Sequence, residues 1–373
     1  MDIAANIITR IKSALPERAE YSLHEPYFDA RELEYVTDCI KSGWVSSVGK
    51  YVDRFEEDLA AYTQAKRAIA VVNGTAALHI CYLLAGVKPG DEILCPTITF
   101  VATANAIKYC GAVPHFVDCE SDTLGVDPEK LHEYLSKKKS KKIKALVVTH
   151  IFGHPAKLQE LKKVCDEFGI IMIEDMAEAL GSYYHNQHVG NYGHLSALSF
   201  NGNKIATTGG GGAVLTNDEE LAKKAKYITT TAKQPHPYEY IHIETGYNYR
   251  MPNINAALGC AQVEKMDDFL SAKRKLFAKY QTAFKNCEQA DLLIEPQNCQ
   301  SNYWLQAIIL KPGFKKYHDE ILEKTNAAKI MTRPIWQPMH HLPYLQDCPK
   351  MDLSCAEDLH SRVINIPSSV NLI

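Results

Sequence analysis

The chain has 373 residues, with 41 Lys and Arg against 44 Asp and Glu for a formal net charge of −3; 46% of residues are hydrophobic. It is too apolar for a disordered chain and lacks the excess charge of a duplex-binding face. No apolar run reaches the ~20 residues of a membrane span. At roughly 150 residues per domain the length suggests two domains. The expected setting is cytoplasmic, with no nucleic-acid and no membrane partner, because the amphipathic start MDIAANIITRIKSALPERAE has no signal-peptide block.

Eleven cysteines are scattered without a C-x-x-C pair, so they read as reduced structural thiols, not as a disulfide framework or zinc site. No metal site is expected.

In chain order, Ala68–Val72 reads as a strand, after which Gly74 and Thr75 open an apolar helix. Glu92–Cys95 is a second short strand, followed by a helix over Ala102–Tyr109 and a strand at Val113–Val117. The run KKKSKKIK (137–144) reads as a solvated helix end and loop, since no aromatics interleave it. Lys144–Thr149 is a buried strand, and Lys157–Phe168 a helix with apolar positions 158, 161, 164, 165 and 168. Ile170–Glu174 is a strand leading into Asp175; Leu195–Phe200 and Ala213–Thr216 flank a glycine-rich loop. Such alternation predicts an α/β fold with a mainly parallel sheet between helices, whose ligands gather beyond the carboxyl ends of the strands. From about Asn248 a long helical stretch, short strands such as Trp304–Leu310 and a Pro- and His-rich tail suggest a smaller α+β unit. The expected division is 1–247 and 248–373.

Three local features carry chemistry. In SFNGNKIATTGGGG (199–212), Lys204 follows a strand and precedes four glycines. That order fits neither a dinucleotide fingerprint nor a phosphate-binding Walker loop. Lys204 is therefore either a surface lysine or a Schiff-base lysine with a partly desolvated amine. Asp175, at a strand end, is either a helix cap or the carboxylate that holds a pyridine nitrogen protonated. Asn73-Gly74-Thr75 is a strand-to-helix junction whose N–H groups suit a phosphate. His150 and His154, though spaced i,i+4, flank Phe-Gly at a strand end and read as a turn with local hydrogen bonds.

With these features in place, the chain resembles the DegT/DnrJ/EryC1/StrS family of pyridoxal 5'-phosphate-dependent sugar aminotransferases, which have the aspartate-aminotransferase-type fold. The resemblance runs from about Pro26 to the C-terminus. It rests on GWVSSVGKYVDRFE (43–56), NGTAALHI (73–80), PTITFVATANAI (96–107), HIFGHP (150–155), IEDMAEALGS (173–182), SFNGNKIATTGGGG, YNYRMPNINAALG (247–259) and RPIWQPMHHLPYL (333–345). It implies that Lys204 holds the cofactor covalently and Asp175 pairs with its ring nitrogen. Gly74, Thr75 and Ser199 would bind its phosphate, and Phe100 would stack on its ring. Glu178 stands where many members carry Gln or His beside the phenolic oxygen; a Glu there is favourable only if one of the two groups is protonated. Asn248 would reach the phosphate of a partner subunit, making a homodimer with shared sites. Arg250 would either assist substrate anion binding or support the loop, and His340 and His341 lie in the tail block that lines the substrate cleft in the family. The resemblance further implies L-glutamate as amino donor. The acceptor it suggests is a UDP-linked 4-keto-6-deoxy-N-acetylhexosamine aminated at C4, on a route to bacillosamine or legionaminic acid. A GDP-linked 4-keto sugar and a 3-keto sugar are the alternatives; a dehydratase would carry His in place of Lys204, and a non-catalytic regulator would be expected to lose Lys204 or Asp175.

Overall fold

A computed structural model describes residues 2–138 and 140–373; Lys139, within the lysine-rich run, lies outside them. The chain begins with α1 (Ile3–Ala14), α2 (Ala30–Ser42) and α3 (Lys50–Thr63), then β1 (Arg67–Val71) and α4 (Gly74–Leu84). Next come β2 (Glu92–Pro96), α5 (Ala102–Tyr109), β3 (Val113–Val117), α6 (Pro128–Lys137), β4 (Ile143–Thr149), α7 (Leu158–Phe168) and β5 (Ile171–Asp175). The short β6 (Tyr183–Tyr184) and β7 (Gln187–His188) precede β8 (Leu195–Ser199), β9 (Gly212–Thr216) and α8 (Glu219–Thr229). Beyond them lie α9 (Asn253–Val263), α10 (Met266–Phe284), β10 (Ala290–Leu292), β11 (Cys299–Gln300) and β12 (Gln306–Leu310). The chain closes with α11 (His318–Ala327), β13 (Arg333–Pro334), α12 (Ser354–His360) and β14 (Val363–Ile366).

Seven strands form the main sheet in the order β1-β9-β8-β5-β4-β2-β3. The pairs among β8, β5, β4, β2 and β3 are parallel, and β9 runs antiparallel to both β8 and β1. The sheet is therefore mixed and mostly parallel, as expected. Its strands read as near-continuous apolar runs because helices cover both faces. β4 shows this with Ala145 through Thr149 all buried, and α7 supplies Leu158, Leu161, Val164 and Cys165 from one face. All eleven cysteines are free, nine of them buried. No helix among the described residues is long and apolar enough to cross a membrane.

A second sheet, β10-β12-β14-β13, is antiparallel. Packing moves two segments across the boundary expected at 247/248. Helix α1 is capped by Asp2, whose Oδ1 accepts from the Ala5 N–H at 3.0 Å. It buries Ala4, Ile7, Ile11 and Ala14 among Leu276, Tyr280, Ile308 and Ile364 of the C-terminal unit. The two isoleucines stabilise that docking by about 1.5–3 kcal/mol each. Conversely, Ala256, Ala257 and Cys260 of α9 join Phe55 and Leu59 of α3 in the large core. The long helical stretch expected in this region is broken at Glu264–Lys265, where the buried Lys265 pairs with Asp29, the cap of α2, and with Glu32 within it.

Candidate active site

The carboxyl ends of β1, β2, β4, β5 and β8, with the amino end of β9, meet at one edge of the main sheet. The register places Asp175 beside Thr149 and Ala197, and Gly212 beside both Val71 and Ser199. A cavity of about 380 Å³ opens there. It is lined by Asn73, Gly74, Thr75, Thr99, Phe100, Thr103, Asp175, Glu178, Ser199, Asn201, Asn203, Lys204, Trp304 and Trp336, among others.

Asn73 caps α4, its Oδ1 accepting from the Ala76 N–H at 2.8 Å. The first N–H groups of the helix have no intrahelical acceptor and carry the positive end of its dipole. The backbone approaches closely at this point. A Cβ on Gly74 would lie 2.7 Å from Cβ of Ser199, and one on Gly212 would lie 2.5 Å from the carbonyl carbon of Asn73. The glycines thus let β9, Ser199 and the helix start converge on one cradle of donors.

Asp175 ends β5 and is buried. Its Oδ2 accepts from the Thr103 hydroxyl at 2.9 Å and its Oδ1 from the Ala177 N–H at 3.1 Å. Burial pushes its pKa above the ordinary 3.8, against the opposing pull of those two donors, Lys204 and His150. A cationic ring N–H would supply what this buried carboxylate lacks.

Lys204 sits in the turn after β8, its N–H donating to the Asn201 carbonyl at 2.9 Å. Its side chain is only 11% exposed, and Nζ stands 3.7 Å from Oε1 of Glu178. The other face of Nζ meets the Trp304 ring, 4.1 Å from its centroid, a favourable cation–π contact for a desolvated ammonium. Trp304 Nε1–H also donates to the Asn203 carbonyl at 2.7 Å, so one side chain fixes both the turn and its lysine.

Oε2 of Glu178 accepts from the Phe152 N–H at 2.8 Å. Burial pushes its pKa up to about 7, although Lys204 pulls it down. Glu178 is therefore a carboxyl that can hold a proton beside an oxyanion near neutrality, which satisfies the condition set by its sequence position. Raising it from the ordinary 4.5 to about 7 costs folding about 3 kcal/mol above pH 7, and nothing below 4.5 where the folded and unfolded forms are both protonated. In cofactor-free protein, Glu178→Gln should thus raise the thermal midpoint at pH 8, with the gain vanishing as pH falls through 4.5. An equal gain at both pH values would contradict a raised Glu178.

The supporting layer is rigid. Glu174 accepts from the N–H groups of Gly190, Tyr192 and Gly193, and its Oε2 lies 3.1 Å from Nε2 of His150. Burial raises its pKa, but these donors outweigh it and hold the carboxyl below the usual range. His150 Nδ1 accepts from the Ala156 N–H at 3.2 Å, and Ile151–Gly153 form a 3-10 turn. The expected turn with local hydrogen bonds is what forms.

Seven of the sequence-derived candidates reach the cavity. Gly74, Thr75, Phe100, Asp175, Glu178, Ser199 and Lys204 line it, and Phe100 is more than half exposed over its mouth. Asn248 does not: it forms a bridge to Thr230 on the surface, where its Oδ1 accepts from Arg250 Nη2 at 3.1 Å, and Arg250 lies opposite Val71. His340 and His341 are also not among the residues that line this cavity. The Met339–His341 turn is pinned by the Met339 N–H donating to the Thr97 carbonyl, which points the two rings at Glu357 of α12. Thr103, Trp304 and Trp336 were not singled out from sequence. Thr103 carries only a helical-period signal, and Trp304 precedes β12 after the left-handed Tyr303, whose φ is 48°, where a strand from 304 was expected.

A largely covered lysine, a buried carboxylate and a helix N-terminus around one cavity on this sheet are the arrangement expected of a pyridoxal-phosphate enzyme of the aspartate-aminotransferase type. Residues 26–373 match the DegT/DnrJ/EryC1/StrS aminotransferase family. GDP-perosamine synthase of Vibrio cholerae is 38% identical over 347 residues, 93% of each chain. UDP-4-amino-4,6-dideoxy-N-acetyl-beta-L-altrosamine transaminase of Campylobacter jejuni is 30% identical over 341 residues, 91% of this chain and 90% of the other. Among solved structures, Helicobacter pylori PseC, an aminotransferase involved in the biosynthesis of pseudoaminic acid, has a TM-score of 0.86 at 27% identity over 95% of both chains. The chain belongs to the DegT/DnrJ/EryC1/StrS family of sugar aminotransferases, and pyridoxal phosphate is its cofactor.

Proposed function

We propose that this enzyme moves the amino group of L-glutamate to C4 of a UDP-linked 4-keto-6-deoxy-N-acetylhexosamine, working as a homodimer. The observation that carries the reading is the placement of Lys204, Asp175 and Glu178 around one cavity beside the α4 N-terminus. When bound, the cofactor supplies the electron sink for amino transfer. Gly74 and Thr75 N–H groups and the Ser199 hydroxyl would hold its phosphate. Asp175, oriented by Thr103, would keep its ring nitrogen protonated, and Glu178 would hold a proton against its phenolic oxygen. Lys204 Nζ, positioned by Trp304, would attach the cofactor and then move the proton at the substrate carbon.

The UDP-linked acceptor is supported by GWVSSVGKYVDRFE, Glu178 and the RPIWQPMHHLPYL tail, and by the relative that acts on a UDP-linked amino sugar. The GDP-perosamine synthases favour the second reading, a GDP-linked 4-keto sugar. Offering both ketones with glutamate and comparing kcat/KM tests the assignment. Preference for the GDP-linked ketone, or amination at C3, overturns the acceptor and leaves amino transfer standing.

The shared site is supported by a segment that needs covering. The hairpin before Asn248 exposes Tyr238, Tyr240 and Ile243, an apolar surface of the kind a partner subunit buries. Mixing inactive Lys204→Ala and Asn248→Ala subunits should restore about a quarter of wild-type activity, since half the dimers are hybrids with one site of two intact. No rescue despite proven subunit exchange would place Asn248 in its own subunit's site.

A further inference from the structure

Outside the cavity, three ligand-type side chains converge. His340 and His341 come from the 339–341 turn and Glu357 from α12, and their ligand atoms all lie within 4.8 Å of one another. Nε2 of His340 is 3.2 Å from Oε1 of Glu357, and Nε2 of His341 is 3.7 Å from the same oxygen. A tetrahedral ion with ligands at about 2.0–2.1 Å sets those ligands about 3.3–3.4 Å apart. Two edges of such a face are therefore nearly formed.

The triad is graded from rigid to free. The His340 side chain is 5% exposed, whereas His341 and Glu357 are 45% and 55% exposed. Nδ1 of His340 lies 2.8 Å from the buried Thr97 hydroxyl. A partner on the far ring nitrogen fixes the ring and sets which nitrogen is offered to a metal. The Thr97 hydroxyl can accept as well as donate, so Nδ1 can carry the ring proton when Nε2 gives it up.

We propose that His340, His341 and Glu357 form a binding site for a divalent transition ion of the Zn2+ type, with a fourth position left to water. The donor set of two imidazoles and one carboxylate suits such an ion and not Ca2+ or Mg2+, which prefer oxygen. Thr97 follows β2 and is followed by Thr99, Phe100 and Thr103 in the cavity wall. Ion binding thus clamps the 339–341 turn and α12 to the segment that carries that wall.

The test is a Zn2+ titration of the untagged, pyridoxal-phosphate-loaded enzyme against a chromogenic chelator, with thermal midpoints recorded in parallel. One equivalent per chain is expected, with a rise in midpoint because the ion binds only the folded state. His341→Ala and Glu357→Gln, both exposed, should keep the metal-free midpoint and lose the equivalent. Thr97→Val should weaken binding by about 10–100-fold through the second partner of His340. Cys355→Ala should bind as wild type. No retained equivalent in wild type, or an equivalent retained in either His341→Ala or Glu357→Gln, overturns the proposal.

Discussion

Lys204→Ala should reduce turnover by at least about 10⁴-fold, since it removes both the covalent anchor and the proton carrier. The protein should still fold, because the partners of Nζ are Glu178 and the Trp304 face, and Glu178 needs no counter-ion once it is protonated. The phosphate cradle at Gly74, Thr75 and Ser199 is untouched, so the variant should retain cofactor non-covalently. Borohydride reduction of wild type followed by peptide mapping should place the label on Lys204. A label on another lysine would sink the assignment, as would near-normal turnover in the variant.

Asp175→Asn is expected to have the next largest effect. Thr103 and Ala177 donate to Asp175, so one amide oxygen can accept from only part of this arrangement, and the charge opposite the ring nitrogen is gone. Breaking a buried pair by removing one partner costs about 3–5 kcal/mol, which corresponds to a loss of about 10²–10³-fold or more in rate. Because burial already pushes Asp175 upward, removing its charge should offset part of the hydrogen bonding lost in the cofactor-free protein. Cofactor affinity should fall with activity. Full activity with a normal absorption band in Asp175→Asn would remove Asp175 from the ring-nitrogen role. Thr103→Val should show a smaller loss of the same kind, since Thr103 acts only through the Asp175 carboxylate.

The sequence by itself determined the elements of the main sheet and which residues stand at their carboxyl ends. Ile170–Glu174 and Leu195–Phe200 are apolar enough to read as buried strands, and Asp175 and Lys204 follow them within a few residues. Gly74 was legible because a strand-to-helix start is a local signal, and the glycine run because four successive glycines are; that Gly74 closes on Ser199 and Gly212 on Asn73 is a tertiary contact. The expected α/β architecture follows from such alternation, because each strand and helix signals its own period.

Only the tertiary structure decided what reaches the cavity from far along the chain. Trp304 meets Lys204 across 100 positions, and Thr103 meets Asp175 across 72, contacts that no local period encodes. The same holds for the exchange of α1 and α9 between the two units, where apolar faces of ordinary periodicity name no partner. His340 and His341 show the converse. Their motif is local, but their partners are not: Thr97 after β2 holds one ring and Glu357 faces both. Side-chain chemistry is written residue by residue, whereas the direction it faces is set by which elements pack together, and that depends on burial summed over the whole chain.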